Sequence, residues 1–140
     1  MKTELELKSE ALANFLGEDP IMIDGKDGEN FSFRKSEYLV LTQEEAEEKA
    51  AEYIRDSLWA FRTEFIAAHT KNGLTNDCIA ALNKMQIELG EDCQPILEAL
   101  IEDMDGFIED AIRADGIAHF LSTYDGEENE KDGYLIYRIN

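Results

Sequence analysis

At Thr42 the chain changes period, and that change narrows the possible folds more than any other feature. Upstream, Tyr38-Leu39-Val40-Leu41 is a short apolar run of the kind that makes a strand, preceded by a second candidate at Phe31 to Phe33. Downstream, Ala46, Ala50, Ile54, Leu58 and Phe61 recur every three or four residues, with Tyr53, Ser57 and Trp59 widening the same face. Between them Thr42-Gln43-Glu44-Glu45 is a capping box: the Thr hydroxyl serves one open end of a helix while the Glu reaches back to the other. A strand is therefore expected to pass straight into a helix that begins at Gln43 and runs to about Phe61.

The rest of the chain divides by the same rules. Leu5, Leu12, Phe15 and Leu16 mark a first helix that Gly17 can close. Glu18 to Asn30 (EDPIMIDGKDGEN) reads as a loop around the apolar segment Ile21-Met22-Ile23. A short helix over Glu64 to His69 should close at Asn72-Gly73. Thr75 or Asn76 can cap another, with Ile79, Leu82, Met85, Gln86 and Leu89 on one face and Gly90 as its stop. Pro95 suits a first helical position, and Leu97, Ile101, Met104, Ile108, Ala111 and Ile112 suggest one helix to Asp115-Gly116, with Gly106 as the place where it could break. The terminal Tyr134 to Ile139 is rich in aromatic and β-branched residues, a strand expected to pair with Tyr38 to Leu41 or with Phe120 to Tyr124. The predicted fold class is α+β: a mostly helical single domain over residues 1–140, with a small antiparallel sheet that includes the C-terminal strand and residues 1–34 as a peripheral N-terminal extension.

Charge limits function. The 140 residues carry 32 Asp and Glu against 13 Lys and Arg, a formal net charge of −19. Direct binding of nucleic acid needs clustered basic residues, and the only adjacent pair is Arg34-Lys35; an anionic membrane would repel the chain for the same reason. The acidity serves either solubility or attraction to a basic partner. Cys78 and Cys93 lack metal-ligand spacing and read as small buried residues on neighbouring helices of a reduced, cytosolic chain.

Catalytic and metal patterns are missing. Asp24-Gly25-Lys26-Asp27-Gly28 places Lys26 where a calcium loop needs an oxygen ligand, and the segment from Asp125 lacks both the central glycine and the closing Glu. His69 and His119 stand alone, and no phosphate loop, dinucleotide fingerprint or nucleophile elbow occurs. The expectation is a binding protein and not an enzyme, with no metal and no cofactor.

The acids are concentrated. Residues 76–115 hold eleven acids and two bases, and no basic residue lies between Lys84 and Arg113. Glu98, Glu102, Asp105 and Glu109 are spaced by four, three and four, which on one continuous helix would align four carboxylates about 5–6 Å apart. Like charges at such spacing cost a few tenths of a kcal/mol per pair, so stability alone would favour an intervening Lys or Arg. Such a row resembles the phosphates of one nucleic-acid strand and could enter a groove built for DNA; the plain alternative is a solvated helix face.

Several strings, namely Tyr38 to Thr42, Asp56 to Phe61 (DSLWAF), Ala114 to Glu128 (ADGIAHFLSTYDGEE) and Tyr137 to Asn140, resemble a family of small acidic proteins of tailed bacteriophages and prophages with no assigned activity. The similarity runs from about residue 35 to the end. It implies a phage origin and a place in the cytoplasm of the bacterial host. By analogy of class it also suggests an anti-defence inhibitor or DNA mimic that binds a basic DNA- or RNA-handling host protein. His119, Tyr124 and Asp125, in the most specific of these strings, become secondary surface candidates. The alternative is a non-catalytic interaction protein of phage development, or a homo-oligomer whose acidity serves solubility. A third class, a small hydrolase or nucleotide-binding enzyme around His119 and Tyr124, has only those two side chains in its favour.

Overall fold

The structure, a computed structural model, describes residues 1–140. Its fold class is α+β, with helices accompanying a five-stranded antiparallel sheet. Two compact units divide the chain: a sheet unit of Met1–Ala50 and Asp115–Asn140, and a helical unit of Ala51–Ala114.

The sheet unit begins with α1 (Glu4–Leu16), where Thr3 Oγ1 accepts the Glu6 N–H at 3.1 Å and Gly17 closes the last turn at φ 73°. Only a residue without a side chain enters that left-handed region at little cost. A tight turn at Pro20–Met22 leads to β1 (Asp24–Gly25), β2 (Asn30–Phe33) and β3 (Ser36–Leu41). After α2 (Gln43–Asp56) and the helical unit, the chain returns through α7 (Ile117–Leu121) to β4 (Asn129–Lys131) and β5 (Tyr134–Arg138). The strand order β1-β2-β3-β5-β4 places the terminal strand inside the sheet, with Tyr38 opposite Arg138 and Val40 opposite Ile136. Of the two pairings expected for it, that with β3 forms; Phe120 and Leu121 lie in α7.

Leu12, Phe31, Tyr38, Val40 and Ile136 form the core of this unit, edged by Leu16, Ile23 and Tyr134. Residues 1–34, suggested by sequence as a peripheral extension, supply α1, β1 and β2 and thereby Leu12 and Phe31 of that core. The Arg34-Lys35 pair is the two-residue turn between β2 and β3, with Arg34 at φ 57°. The capping box forms as read: Thr42 Oγ1 accepts the Glu45 N–H at 3.2 Å, and Glu45 Oε1 accepts the Thr42 N–H at 2.9 Å. The same carboxylate oxygen accepts from Lys8 Nζ at 2.8 Å. Lys8 is 1% exposed and also donates to the Gly28 carbonyl at 2.7 Å, so one buried ammonium ties α1, the loop before β2 and the start of α2.

In the helical unit, α2 stops at Asp56, short of the Phe61 expected, and a 3-10 turn at Leu58–Ala60 follows. Two side-chain amides close the backbone that this unwinding leaves open. Gln94 Nε2 donates to the Arg55 carbonyl at 2.6 Å and Gln94 Oε1 accepts the Trp59 N–H at 3.3 Å. Gln86 Nε2 donates to the carbonyls of Trp59 at 3.1 Å and Phe61 at 2.8 Å, while its oxygen accepts from Thr63 at 2.7 Å. The burial period survives because Leu58, one turn beyond Ile54, remains fully buried; Tyr53, expected on the buried face, is exposed. Then come α3 (Thr63–Ala67), α4 (Asn76–Leu89, capped by Thr75), α5 (Gln94–Leu100) and α6 (Met104–Asp115). Cys93 is buried as expected, whereas Cys78 is exposed, in the first turn of α4.

Candidate interaction surface

The four carboxylates of the predicted row do not share a helix. Glu98 lies on α5, Glu102 in the connection, and Asp105 and Glu109 on α6. Ile101 leaves helical geometry at ψ 120° and bridges to Thr70, and the Glu102 N–H is taken by the His69 carbonyl at 3.1 Å. Asp103 then opens the next helix, its Oδ1 accepting the Gly106 N–H at 3.1 Å. The break thus falls at residues 101–103, and Gly106 sits inside the first turn of α6. The glycine takes part in the cap, because a Cβ on it would lie 2.6 Å from Asp103 Oδ2. Only Asp105 and Glu109 keep the four-residue spacing on one face of one helix. Glu98 is also engaged within its own helix, accepting from Gln94 Nε2 at 3.1 Å.

What survives is a strongly acidic exterior. From Met85 to Ile112 there are nine carboxylates and no Lys or Arg, and every one except the half-buried Asp110 is exposed. Among them stand exposed apolar side chains: Ile87, Leu89, Ile96 and Leu100, of which Ile87 is 75% exposed. Ile96 and Leu100 are one turn apart on α5 and share a side of it. Ile87 and Leu89 stand on α4, apart in sequence from that pair, so the exposed apolar side chains are interspersed among the carboxylates along the chain.

Asp110 faces inward on other business. Its Oδ2 lies 2.8 Å from His69 Nε2, while His69 Nδ1 lies 2.8 Å from the Phe65 carbonyl. Both neighbours are acceptors, so the two ring nitrogens face one backbone and one carboxylate oxygen. Phe65 and Phe107 pack on that ring with centroids 4.8 and 5.0 Å away, and Arg113 reaches Asp110 at 3.1 Å. Sequence reading left His69 without a partner because its partner is 41 residues away.

The secondary candidates are brought into one region of the sheet unit but into separate contacts. His119 is exposed on α7, edge-on to Phe120. Tyr124 is 57% exposed and lies beneath the Arg138 guanidinium, 3.8 Å from carbon to ring centroid. Asp125 closes the turn: Oδ1 accepts the Glu127 N–H at 3.0 Å and the Ser122 hydroxyl at 2.7 Å. Those two bonds, the backbone one first, hold its carboxyl below the usual range. Asp125 therefore shapes a turn, and Tyr124 is on the surface. No group of three or more His, Cys, Asp or Glu is arranged to hold a metal ion, and no helix is long and apolar enough to cross a membrane.

Compared with known proteins, the chain matches no family, no curated protein and no solved structure.

Proposed function

We propose that the protein is a phage-encoded accessory protein that binds a basic, nucleic-acid-handling host protein through the acidic exterior of its helical unit, as a DNA mimic or anti-defence inhibitor. The observation that carries the reading is the run from Met85 to Ile112, in which eight exposed carboxylates and no base are interleaved with exposed Ile87, Leu89, Ile96 and Leu100. Of these carboxylates Glu88 has a basic neighbour, Lys84 at 3.9 Å; the excess negative charge speeds encounter with a basic surface, and apolar residues supply contact area once charges have aligned the two proteins. The phage provenance and the host cytoplasm rest on the similarity of the quoted strings alone. Mimicry of a phosphate row is supported more narrowly than the sequence suggests, by the pair Asp105 and Glu109.

A second reading keeps the same surface but makes the partner another copy of this chain; the exposed apolar residues favour it and the net charge of −19 opposes it. Capture from bacterial lysate at low and at high salt, with the bound proteins identified, separates the two. The proposal expects a DNA- or RNA-handling protein held at low salt and released at high salt. Self-association alone, growing stronger with salt as repulsion is screened, would replace it with the second reading.

A further inference from the structure

The apolar segment Ile21-Met22-Ile23 is unusual for its setting, an acidic loop in which a chain seeking solubility would place polar residues. In the sheet unit Ile23 turns in to edge the core, while the two residues before it stay outside. Ile21 is 85% exposed and Met22 50% exposed, held outward by a turn in which Asp19 accepts the Ile21 N–H at 3.0 Å. The turn packs against α1, and between them lies a hollow of about 360 Å³ whose walls include Leu5, Ile21, Ile23 and Gly25. Gly25 belongs to the edge strand β1, and a Cβ there would crowd the hollow, 2.9 Å from Leu5 Cδ1 and 3.0 Å from the Phe31 ring. Leu5 itself is 44% exposed, so the hollow is floored by the protein and open to an incoming group.

The rim decides what can fill it. Glu6 and Glu10 of α1 line the same hollow. Lys2 reaches Glu10 at 2.6 Å but remains 58% exposed, a loose tie that an incoming cation can replace. A second copy of this chain would bring another 19 net negative charges toward two carboxylates, and a lipid surface would bring phosphates. An apolar hollow with an acidic rim on an acidic protein calls for a cationic segment with an apolar anchor.

We infer that the hollow between α1 and the Pro20–Met22 turn is a docking site for a short segment of a basic protein, one aliphatic or aromatic side chain entering between Leu5 and Ile21 and flanking Lys or Arg meeting Glu6 and Glu10. The inference rests on the reading of the partner as basic, and it gives that partner a second foothold, on a different unit from the acidic run of residues 85–112.

The test uses the full chain and two synthetic probes: a lysine peptide with one central Leu, and the same peptide with Ser in its place. Nuclear magnetic resonance with methyl-labelled protein should show the Leu peptide perturbing Leu5, Ile21 and Ile23 and binding about tenfold more tightly than the Ser peptide. Ile21→Ser, at a position too exposed to matter for folding, should erase that preference, while Glu6→Gln with Glu10→Gln should weaken both peptides and flatten their salt dependence. Equal affinity of the two peptides, or a Leu preference surviving Ile21→Ser, would overturn the inference. So would self-association that Ile21→Ser abolishes, because the cover would then be a second copy. Failure here with salt-sensitive lysate capture intact would remove the hollow and leave the proposed function standing.

Discussion

The two units close their backbones by different means. In the sheet unit each strand finds its neighbour through main-chain pairing, and one buried ammonium, Lys8, binds three separate pieces of chain. In the helical unit, short helices are joined where side chains take over from main-chain bonds: the amides of Gln86 and Gln94 on the turn after α2, the Asp103 carboxylate at the start of α6. The comparison teaches why helical period is a good guide to burial and a poor one to helix ends. Leu58 and Phe107 are fully buried on either side of breaks that apolar spacing alone does not reveal.

The largest expected effect lies in the sheet unit. Glu45→Ala removes the counter-charge of an almost fully buried Lys8 and half of the capping box together, and should cost about 3 kcal/mol in urea unfolding. A cost below about 1 kcal/mol would mean that Lys8 is not held as described. In the helical unit, Gln86→Leu keeps the volume but leaves the carbonyls of Trp59 and Phe61 and the Thr63 hydroxyl short of a partner, at about 2 kcal/mol. Near neutrality would show that the turn after α2 does not depend on it.

Smaller effects probe the break before α6. Asp103→Ala should cost about 1 kcal/mol, the usual worth of a helix cap. Gly106→Ala, a change that ordinarily stabilises a helix by about 1 kcal/mol, should here gain little, because the added methyl displaces the Asp103 carboxylate. The gain should return when Asp103 is already Ala, which a thermal-unfolding double-mutant cycle would detect.

Acid should also distinguish the units. In the sheet unit Asp27 is lowered by the backbone N–H groups of Asn30 and Glu29, and Asp125 by that of Glu127; in Glu45, burial pushes the carboxyl up but the Lys8 and Thr42 hydrogen bonds outweigh it, leaving it lowered. A carboxyl lowered by folding stabilises above its unfolded value and loses that contribution as pH falls through the folded one, here below the ordinary range of about 4. Amide exchange between about pH 5 and pH 3 should therefore show protection lost first around Asn30 and the start of α2. Earlier loss in α4 to α6 would reverse the ranking.

Much of the sheet unit was legible because its determinants are local. Thr42 to Glu45, Gly17 and the terminal β-rich run each carry their own instruction. The burial of Lys8 was not, since the surrounding Glu-Leu-Lys-Ser-Glu looks solvated and its partner is 37 residues away. For the candidate surface, exposure of Glu98, Glu102, Asp105 and Glu109 follows from residue type, but their common face depended on an unbroken helix. The Ile101–Thr70 bridge that interrupts it is a tertiary contact invisible to periodicity. The Asp103 cap three residues before the Gly106 N–H was the local sign that a new helix starts there.

The central claim is that the acidic exterior of the helical unit is a binding surface and not only a solvated one. Its most direct test is to change Glu98, Glu102, Asp105 and Glu109 to Gln together and measure affinity for the captured partner across a salt series. Stability should move by no more than about 0.5 kcal/mol, since relief of the Asp105–Glu109 repulsion is offset by loss of a favourable first-turn charge at Asp105. The account predicts weaker binding, mainly through slower association, with a shallower dependence on salt. Unchanged affinity and unchanged salt dependence in the folded variant would contradict it and return these four carboxylates to the solubility role.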